Sequence, residues 1–226
     1  MNEREPIRKL NPARIVLVDD HPAVREGLAE SINRESGLAV CGQADDRVAA
    51  LRVIESTNPD LVVLDLTLKS SSGLELLKDI HARWPQVLIL VVSMHDENLY
   101  AERVLHAGAQ GYITKQEATN KVIHAIRHVL GGGIYLNERM SAAILARRSG
   151  QPESGTGSIA DLLAERELEV FEMTGQGLST REIAQQLHID TKTVDTYRAR
   201  IRQKLNIDTS SALLKLAIQW NRERNR

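Results

Sequence analysis

With a single cysteine, Cys41, this sequence cannot close an internal disulfide, and a reducing compartment suits it. Cys41 lies between Val40 and Gly42 and reads as a small strand residue rather than a nucleophile. Long apolar runs are absent too. No stretch approaches the ~18 apolar residues that a membrane span needs, and the polar segment Met1–Arg14 lacks the apolar core of a signal peptide. These absences point to a cytoplasmic protein with no membrane partner. Nor is there an excess of either charge. The 29 Lys and Arg against 30 Asp and Glu leave a formal net charge of −1, which excludes a uniformly basic nucleic-acid coat but not a local basic face. No internal repeat is present, and 226 residues admit one large domain or two ordinary ones.

What is there falls into two patterns. From Ile15 to Val129 short apolar runs alternate with helical stripes. Ile15–Val18, Leu38–Ala44, Leu61–Leu64, Val87–Val92 and Gly111–Thr114 have the length of buried strands. Between them Val24, Leu28 and Ile32, then Val48, Leu51 and Ile54, then Leu74, Leu77 and Ile80, and last Val122, Ile126 and Val129 recur at helical spacing. A less apolar helix is expected over Leu99–His106, and a polar loop from Lys69 to Gly73. Pro22 suits the first turn of the helix that His21 opens. Such alternation gives right-handed βαβ crossovers and a five-stranded parallel sheet covered on both faces.

The candidate chemistry lies where these runs end. Asp65 alone could be a surface aspartate that merely terminates a strand. Parallel strands share their C-terminal edge, however, and Asp19 and Asp20 follow the first strand, Ser93 the fourth and Lys115 the fifth. Three carboxylates at one spot repel unless a cation joins them, and oxygen-only ligands suit Mg²⁺ (or Mn²⁺) better than zinc. A cation would keep Asp65 ionised and bridge it to an incoming phosphoryl group. Ser93 could hydrogen-bond a phosphoryl oxygen, and Lys115 could supply compensating charge. The set suits phosphoryl transfer to an aspartate, giving an acyl phosphate.

Leu17-Val18-Asp19-Asp20-His21-Pro22, Leu64-Asp65-Leu66, Gly73-Leu74-Glu75-Leu76, Ser93-Met94-His95-Asp96, Ala107-Gly108-Ala109-Gln110-Gly111-Tyr112 and Lys115 resemble the motifs of a two-component receiver domain. The resemblance covers residues 14 to about 130 and implies a flavodoxin-like fold with Asp65 as phosphoacceptor. It implies Mg²⁺ held by Asp20, Asp65 and the Thr67 carbonyl, with Asp19 assisting through water, and Ser93 and Tyr112 as a switch pair. Lys69 and Gln116 stand where the family commonly has proline, and neither departure removes a reacting group. An aspartate-nucleophile phosphatase is the weaker alternative, because Thr67 occupies the place of its usual general acid. Slow self-dephosphorylation is the only enzymatic activity expected.

Gly131-Gly132-Gly133 closes the last helix of this half. Ile134–Leu136 is expected to extend briefly, and Asn137 to cap a connecting helix with Met140, Ile144 and Leu145. Arg148–Ser158, rich in Gly and Ser, reads as a flexible linker. The boundaries are therefore a receiver at 13–132, a connector at 133–158 and an all-α domain at 159–226.

In that last domain Leu168, Val170, Phe171 and Met173 mark one helix, and Ser179 with Glu182 forms a capping box for a second. His188-Ile189-Asp190 is a tight turn, and Val194, Tyr197, Ile201 and Leu205 are the core positions of a third helix. From Thr191 to Lys204 five basic residues stand against the single acidic Asp195. By charge alone this reads as a solvated helix face. The pattern of short helix, tight turn and capped basic helix also fits a recognition helix for the major groove.

Arg166-Glu167, Glu169-Val170, Gly177-Leu178-Ser179, Glu182-Ile183-Ala184, Thr193-Val194 and Lys204-Leu205 resemble the LuxR-type helix-turn-helix over residues 163–218. The two halves together look like a NarL/FixJ-type response regulator. That resemblance implies base approach by Lys192, Thr193, Thr196, Tyr197, Arg200 and neighbours, and phosphate contacts by Thr180, Arg181, Arg198 and Lys204. Ala164 replaces a common serine or threonine N-cap, at ~1 kcal/mol. Leu213, Leu214, Ala217, Ile218 and Trp220 of the last helix suit either a dimer contact or simple packing on the helix-turn-helix.

The expected function is a DNA-binding transcription regulator, phosphorylated at Asp65 by a sensor histidine kinase and acting on double-stranded DNA. Phosphorylation would release a receiver contact that hides the third helix, and a homodimer would occupy paired half-sites. A protein-interaction adaptor is the alternative from a different class.

Overall fold

The computed structural model describes residues 11–68, 71–94, 97–137, 140–141, 159 and 162–224. The expectations for Lys69, His95, Asp96, Ile144, Leu145 and the linker at 148–158 lie outside the described residues. In the first half, strands β1 (Ala13–Val18), β2 (Leu38–Ala44), β3 (Leu61–Leu64), β6 (Leu88–Ser93) and β7 (Gly111–Thr114) form one parallel sheet of order β2-β1-β3-β6-β7. The helices are α1 (Pro22–Asn33), α2 (Arg47–Thr57), α3 (Gly73–Arg83), α4 (Glu97–His106) and α5 (Lys115–Leu130).

Strand periodicity sorts the core into two layers. Ile15, Leu17, Leu61, Val63, Leu90 and Val92 pack with Leu28 and Ile32 of α1 and with Val122 and Ile126 of α5. The alternate residues, Val16, Val18, Val62, Leu64, Ile89 and Val91, pack with Ile54, Leu77, Ile80 and Val104 of α2, α3 and α4. One expectation is corrected. The stretch read as a polar loop from Lys69 to Gly73 contains β5 (Ser71–Ser72), which pairs antiparallel with β4 (Thr67–Leu68) just before it, and Gly73 already belongs to α3. This small hairpin holds the residues that follow Asp65. Cys41 sits half-buried in β2 with its Sγ donating to the Ile15 carbonyl at 3.5 Å, a packing role.

Tyr135 extends the sheet edge beside β7, its carbonyl accepting from Tyr112 N–H at 2.9 Å. Asn137 caps as expected, with Met140 N–H donating to its side chain at 2.8 Å.

The second half is helical: α6 (Glu165–Gly175), α7 (Thr180–Gln186), α8 (Thr191–Lys204) and α9 (Ser210–Arg224). Ser179 and Glu182 close the capping box, and His188 takes φ +52° in the turn before α8. Asp190 caps α8 by accepting from Lys192 N–H at 2.7 Å. Ala164 has no capping oxygen, but its N–H donates to Glu167 at 2.8 Å, which partly offsets the loss. Of the residues expected on the last helix, Leu213, Ala217 and Trp220 are buried, and Trp220 meets Phe171 of α6 with ring centres 5.5 Å apart. Leu214 remains 40 % exposed.

Candidate functional site

The parallel sheet brings the expected strand ends to one edge. Asp19 and Asp20 follow β1, Asp65 follows β3, Ser93 ends β6, and Lys115 opens α5 directly after β7. All three aspartates are buried. Lys115 Nζ lies 2.7 Å from both Asp19 Oδ2 and Asp65 Oδ2, so one ammonium bridges two carboxylates. Burial pushes the Asp65 carboxyl up to about 6 against the pull of Lys115, with Asp19 adding to the rise. Burial also works against the charge of Lys115, but Asp65 and Asp19 outweigh it and hold its pKa above the ordinary value.

Asp20 is the uncompensated member. Both its oxygens are buried without a well-formed hydrogen bond; beside them stand His21 Nδ1, 2.7 Å from Oδ1, and His188 Nε2, 3.7 Å from Oδ2. Ligand atoms of Asp19, Asp20, His21 and Asp65 all lie within 4.8 Å of one another. A buried carboxylate with free lone pairs beside two more carboxylates is an oxygen-rich cradle that can hold a divalent cation. Thr67 N–H donates to Asp65 Oδ1 at 3.2 Å, which fixes the first residue of the hairpin against the pocket. Ser93 is fully buried at the rim, and Tyr112 is buried on β7.

The second candidate surface is α8 with the start of α7. Lys192, Thr196 and Arg200 are exposed, as is Arg181, while Thr193 is half-buried. Three residues expected to face nucleic acid also have partners within the domain. Tyr197 packs partly buried against the core. Arg198 donates to Thr180 Oγ1 at 2.6 Å and to the Leu178 carbonyl at 3.4 Å, joining α8 to α7. Lys204 Nζ lies 2.6 Å from Glu167 on α6.

Sequence reasoning missed a set of residues between the two halves. Arg166 on α6 donates to the Leu68 carbonyl of β4 at 2.7 Å and to Glu169 at 2.7 Å. Arg103 on α4 donates to the Leu163 carbonyl at 2.7 Å and lies 3.6 Å from Glu165. Tyr100, fully buried on α4, has its hydroxyl pKa raised by burial and by Glu165, Glu169 and Glu172 of α6. The only hint in the sequence was four glutamates, Glu165, Glu167, Glu169 and Glu172, on a helix otherwise read as core.

Comparison with known proteins gives two family matches. Residues 15–127 match the response regulator receiver domain, and residues 161–217 match the bacterial regulatory proteins of the luxR family. The chain is 37% identical over 209 residues to the transcriptional activator protein ExaE of Pseudomonas putida, covering 91% of this chain and 95% of that one. It is 31% identical over 210 residues to the oxygen regulatory protein NreC of Staphylococcus carnosus, covering 91% and 97%. Among solved structures, a LuxR-family two-component response regulator from Aurantimonas shares 37% identity with a TM-score of 0.57, covering 62% of this chain and 99% of that one.

Proposed function

Because this chain belongs to the response regulators that join a receiver domain to a LuxR-type DNA-binding domain, we propose that Asp65 is the residue that accepts the phosphoryl group. The protein is a phosphorylation-controlled transcription regulator, not a classical enzyme. The observation that carries the assignment is the Lys115 ammonium 2.7 Å from both Asp65 and Asp19, beside an Asp20 carboxylate with buried, unsatisfied oxygens.

In the transfer, an Asp65 carboxylate oxygen forms the new bond to phosphorus, and the bond from phosphorus to the histidine nitrogen of a sensor kinase breaks. Asp19, Asp20, Asp65 and the Thr67 carbonyl would hold Mg²⁺ or Mn²⁺, which when bound neutralises charge on the incoming phosphoryl oxygens. Lys115 holds the Asp65 carboxylate in place and supplies a fixed positive charge to the product. Ser93 and Tyr112 are the switch pair: Ser93 is buried at the end of β6, and Tyr112 is buried on β7 near Tyr100 of α4. Thr67 carries no carboxyl group, so the acyl phosphate is lost only slowly.

For the output, Lys192, Thr193, Thr196 and Arg200 approach bases, and Arg181 holds phosphate. Thr180, Arg198 and Lys204 contribute to DNA contacts from positions where their partners within the domain orient them. We assign the receiver to 13–132, the connector to 133–158 and the DNA-binding domain to 159–226. A homodimer on paired half-sites supplies affinity that one small helix-turn-helix lacks. No described helix is long and apolar enough to cross a membrane, and we place the protein in the cytoplasm.

Duplex-DNA binding at two salt concentrations, with and without a beryllofluoride mimic of the aspartyl phosphate, tests this reading. Binding is expected to tighten with the mimic, to lose that response in Asp65→Asn, and to weaken steeply with salt as counterions are released. A mimic response that survives in Asp65→Asn overturns the site, and absence of any DNA binding favours a protein-interaction adaptor.

A further inference from the structure

The contacts between the two halves reach the phosphorylation pocket through the hairpin after Asp65 and through Asp20, and leave Lys192, Thr196 and Arg200 exposed. Arg166 of α6 grips the Leu68 carbonyl at 2.7 Å, on the hairpin that starts two residues after Asp65. His188, in the turn before α8, stands 3.7 Å from Asp20 Oδ2, and its ring lies 6.4 Å from that of His21, edge to face. Arg103 of α4 completes the clasp through the Leu163 carbonyl at 2.7 Å. The contact is also well sealed. Glu169, the partner of Arg166, is fully buried, Glu165 and Glu172 are buried beside Tyr100, and one apolar core runs from Leu66 and Leu68 into Leu168 and Phe171.

The expected arrangement, in which the receiver hides the third helix, is not the one observed. Lys192, Thr196 and Arg200 remain exposed, and it is α6 and the turn that are covered. We infer that the DNA-binding domain acts as a lid on the phosphorylation pocket, clasped by Arg166, Arg103 and His188. Docking restrains the reach of phosphoryl donor and cation to Asp65 and Asp20, more than it restrains DNA. The inference rests on the assignment of Asp65 as phosphoacceptor. Phosphorylation is then fed by the minor, undocked population, and the rate of labelling reports that population.

Timed labelling of the full-length protein with acetyl phosphate and Mg²⁺, read on a phosphate-affinity gel, tests the lid. In that reaction the phosphoryl group passes to an Asp65 oxygen and acetate leaves. Arg166→Ala is expected to label about tenfold faster, the shift that losing one charge-assisted hydrogen bond gives a closed–open equilibrium. His188→Ala should label faster by a smaller factor, and both variants should bind duplex DNA, unphosphorylated, as the parent does. Should Arg166→Ala fail to fold, Arg103→Ala releases the clasp from the receiver side and is read the same way. Folded variants that label no faster than a parent labelled at Asp65 overturn the lid alone. No label on the parent, or label persisting in Asp65→Asn, overturns the phosphoacceptor assignment and the lid with it.

Discussion

The two charged regions of this molecule follow opposite rules. At the sheet edge the candidate phosphoacceptor groups are sealed in: Asp19, Asp20 and Asp65 are 4%, 4% and 2% exposed, and one lysine bridges two of them. On α8 the cations proposed to meet DNA, Lys192 and Arg200, stand in water, and the arginine that is turned inward, Arg198, is holding α8 to α7. Covalent chemistry on a carboxylate gains from a low dielectric, where one ammonium or one cation changes ionisation. Attraction to a polyanionic duplex works through solvated cations and released counterions, so burial would waste the charge. Burial thus separates the residues proposed to react from those proposed to read.

The largest expected effect tests the reading half of that contrast. Lys192→Ala with Arg200→Ala should weaken DNA binding roughly 100-fold, at about 1–3 kcal/mol for each lost contact, and leave acetyl phosphate labelling of Asp65 unchanged. A gel-shift titration beside a labelling time course checks both. Equal DNA affinity in the double variant would move the reading surface away from α8.

A second pair of substitutions asks whether the regions can be broken one at a time. A methyl group on Gly73 would meet the Asp65 carbonyl at 2.3 Å and Leu66 Cα at 2.5 Å, both backbone atoms that a rotamer change cannot move. A methyl on Gly175 would meet the Ala217 carbonyl at 2.3 Å, where α6 packs on α9. Each alanine should cost roughly 1–3 kcal/mol by overpacking. Gly73→Ala should slow labelling and spare DNA affinity, and Gly175→Ala should do the reverse. If either variant damages both activities equally, the halves form one cooperative unit.

Much of this was legible in the sequence, because it rests on short-range pattern. β2, β3 and β7 have the bounds that the apolar runs indicated, and the convergence of Asp19, Asp65, Ser93 and Lys115 follows from parallel strands alone. What stayed hidden was of two kinds. The β4–β5 hairpin has strands of two residues each, too short for any periodicity, and lies where polar side chains read as loop. The clasp joins residues 98 apart in the chain, Arg166 and Leu68, through a carbonyl that every residue possesses. His21 shows the same limit: it reads as a helix start, yet its ring stands 2.7 Å from Asp20. Arg198 and Lys204 carry the charge of DNA contacts, and no local pattern reveals that Thr180 and Glu167 already hold them.

The smallest effect sharpens the contrast where the two halves are most alike, at their helix caps. Asp46 accepts from Ala49 N–H at 2.7 Å to start α2, and Asp190 accepts from Lys192 N–H at 2.7 Å to start α8. Removing either cap should cost about 1 kcal/mol, since each leaves an N-terminal amide without its acceptor. The functional consequences should differ even so. α2 supplies none of the pocket's carboxylates nor its lysine, so Asp46→Ala should lower the thermal midpoint and change neither labelling nor DNA affinity. Asp190 anchors the turn from which Lys192 is proposed to approach DNA, and fraying there would cost order in the proposed reading residues. Asp190→Ala should therefore weaken DNA binding a few-fold at a similar stability loss. Equal DNA affinity in the two cap variants would mean that α8 is ordered by its packing through Val194 and Ile201, with its cap contributing stability alone.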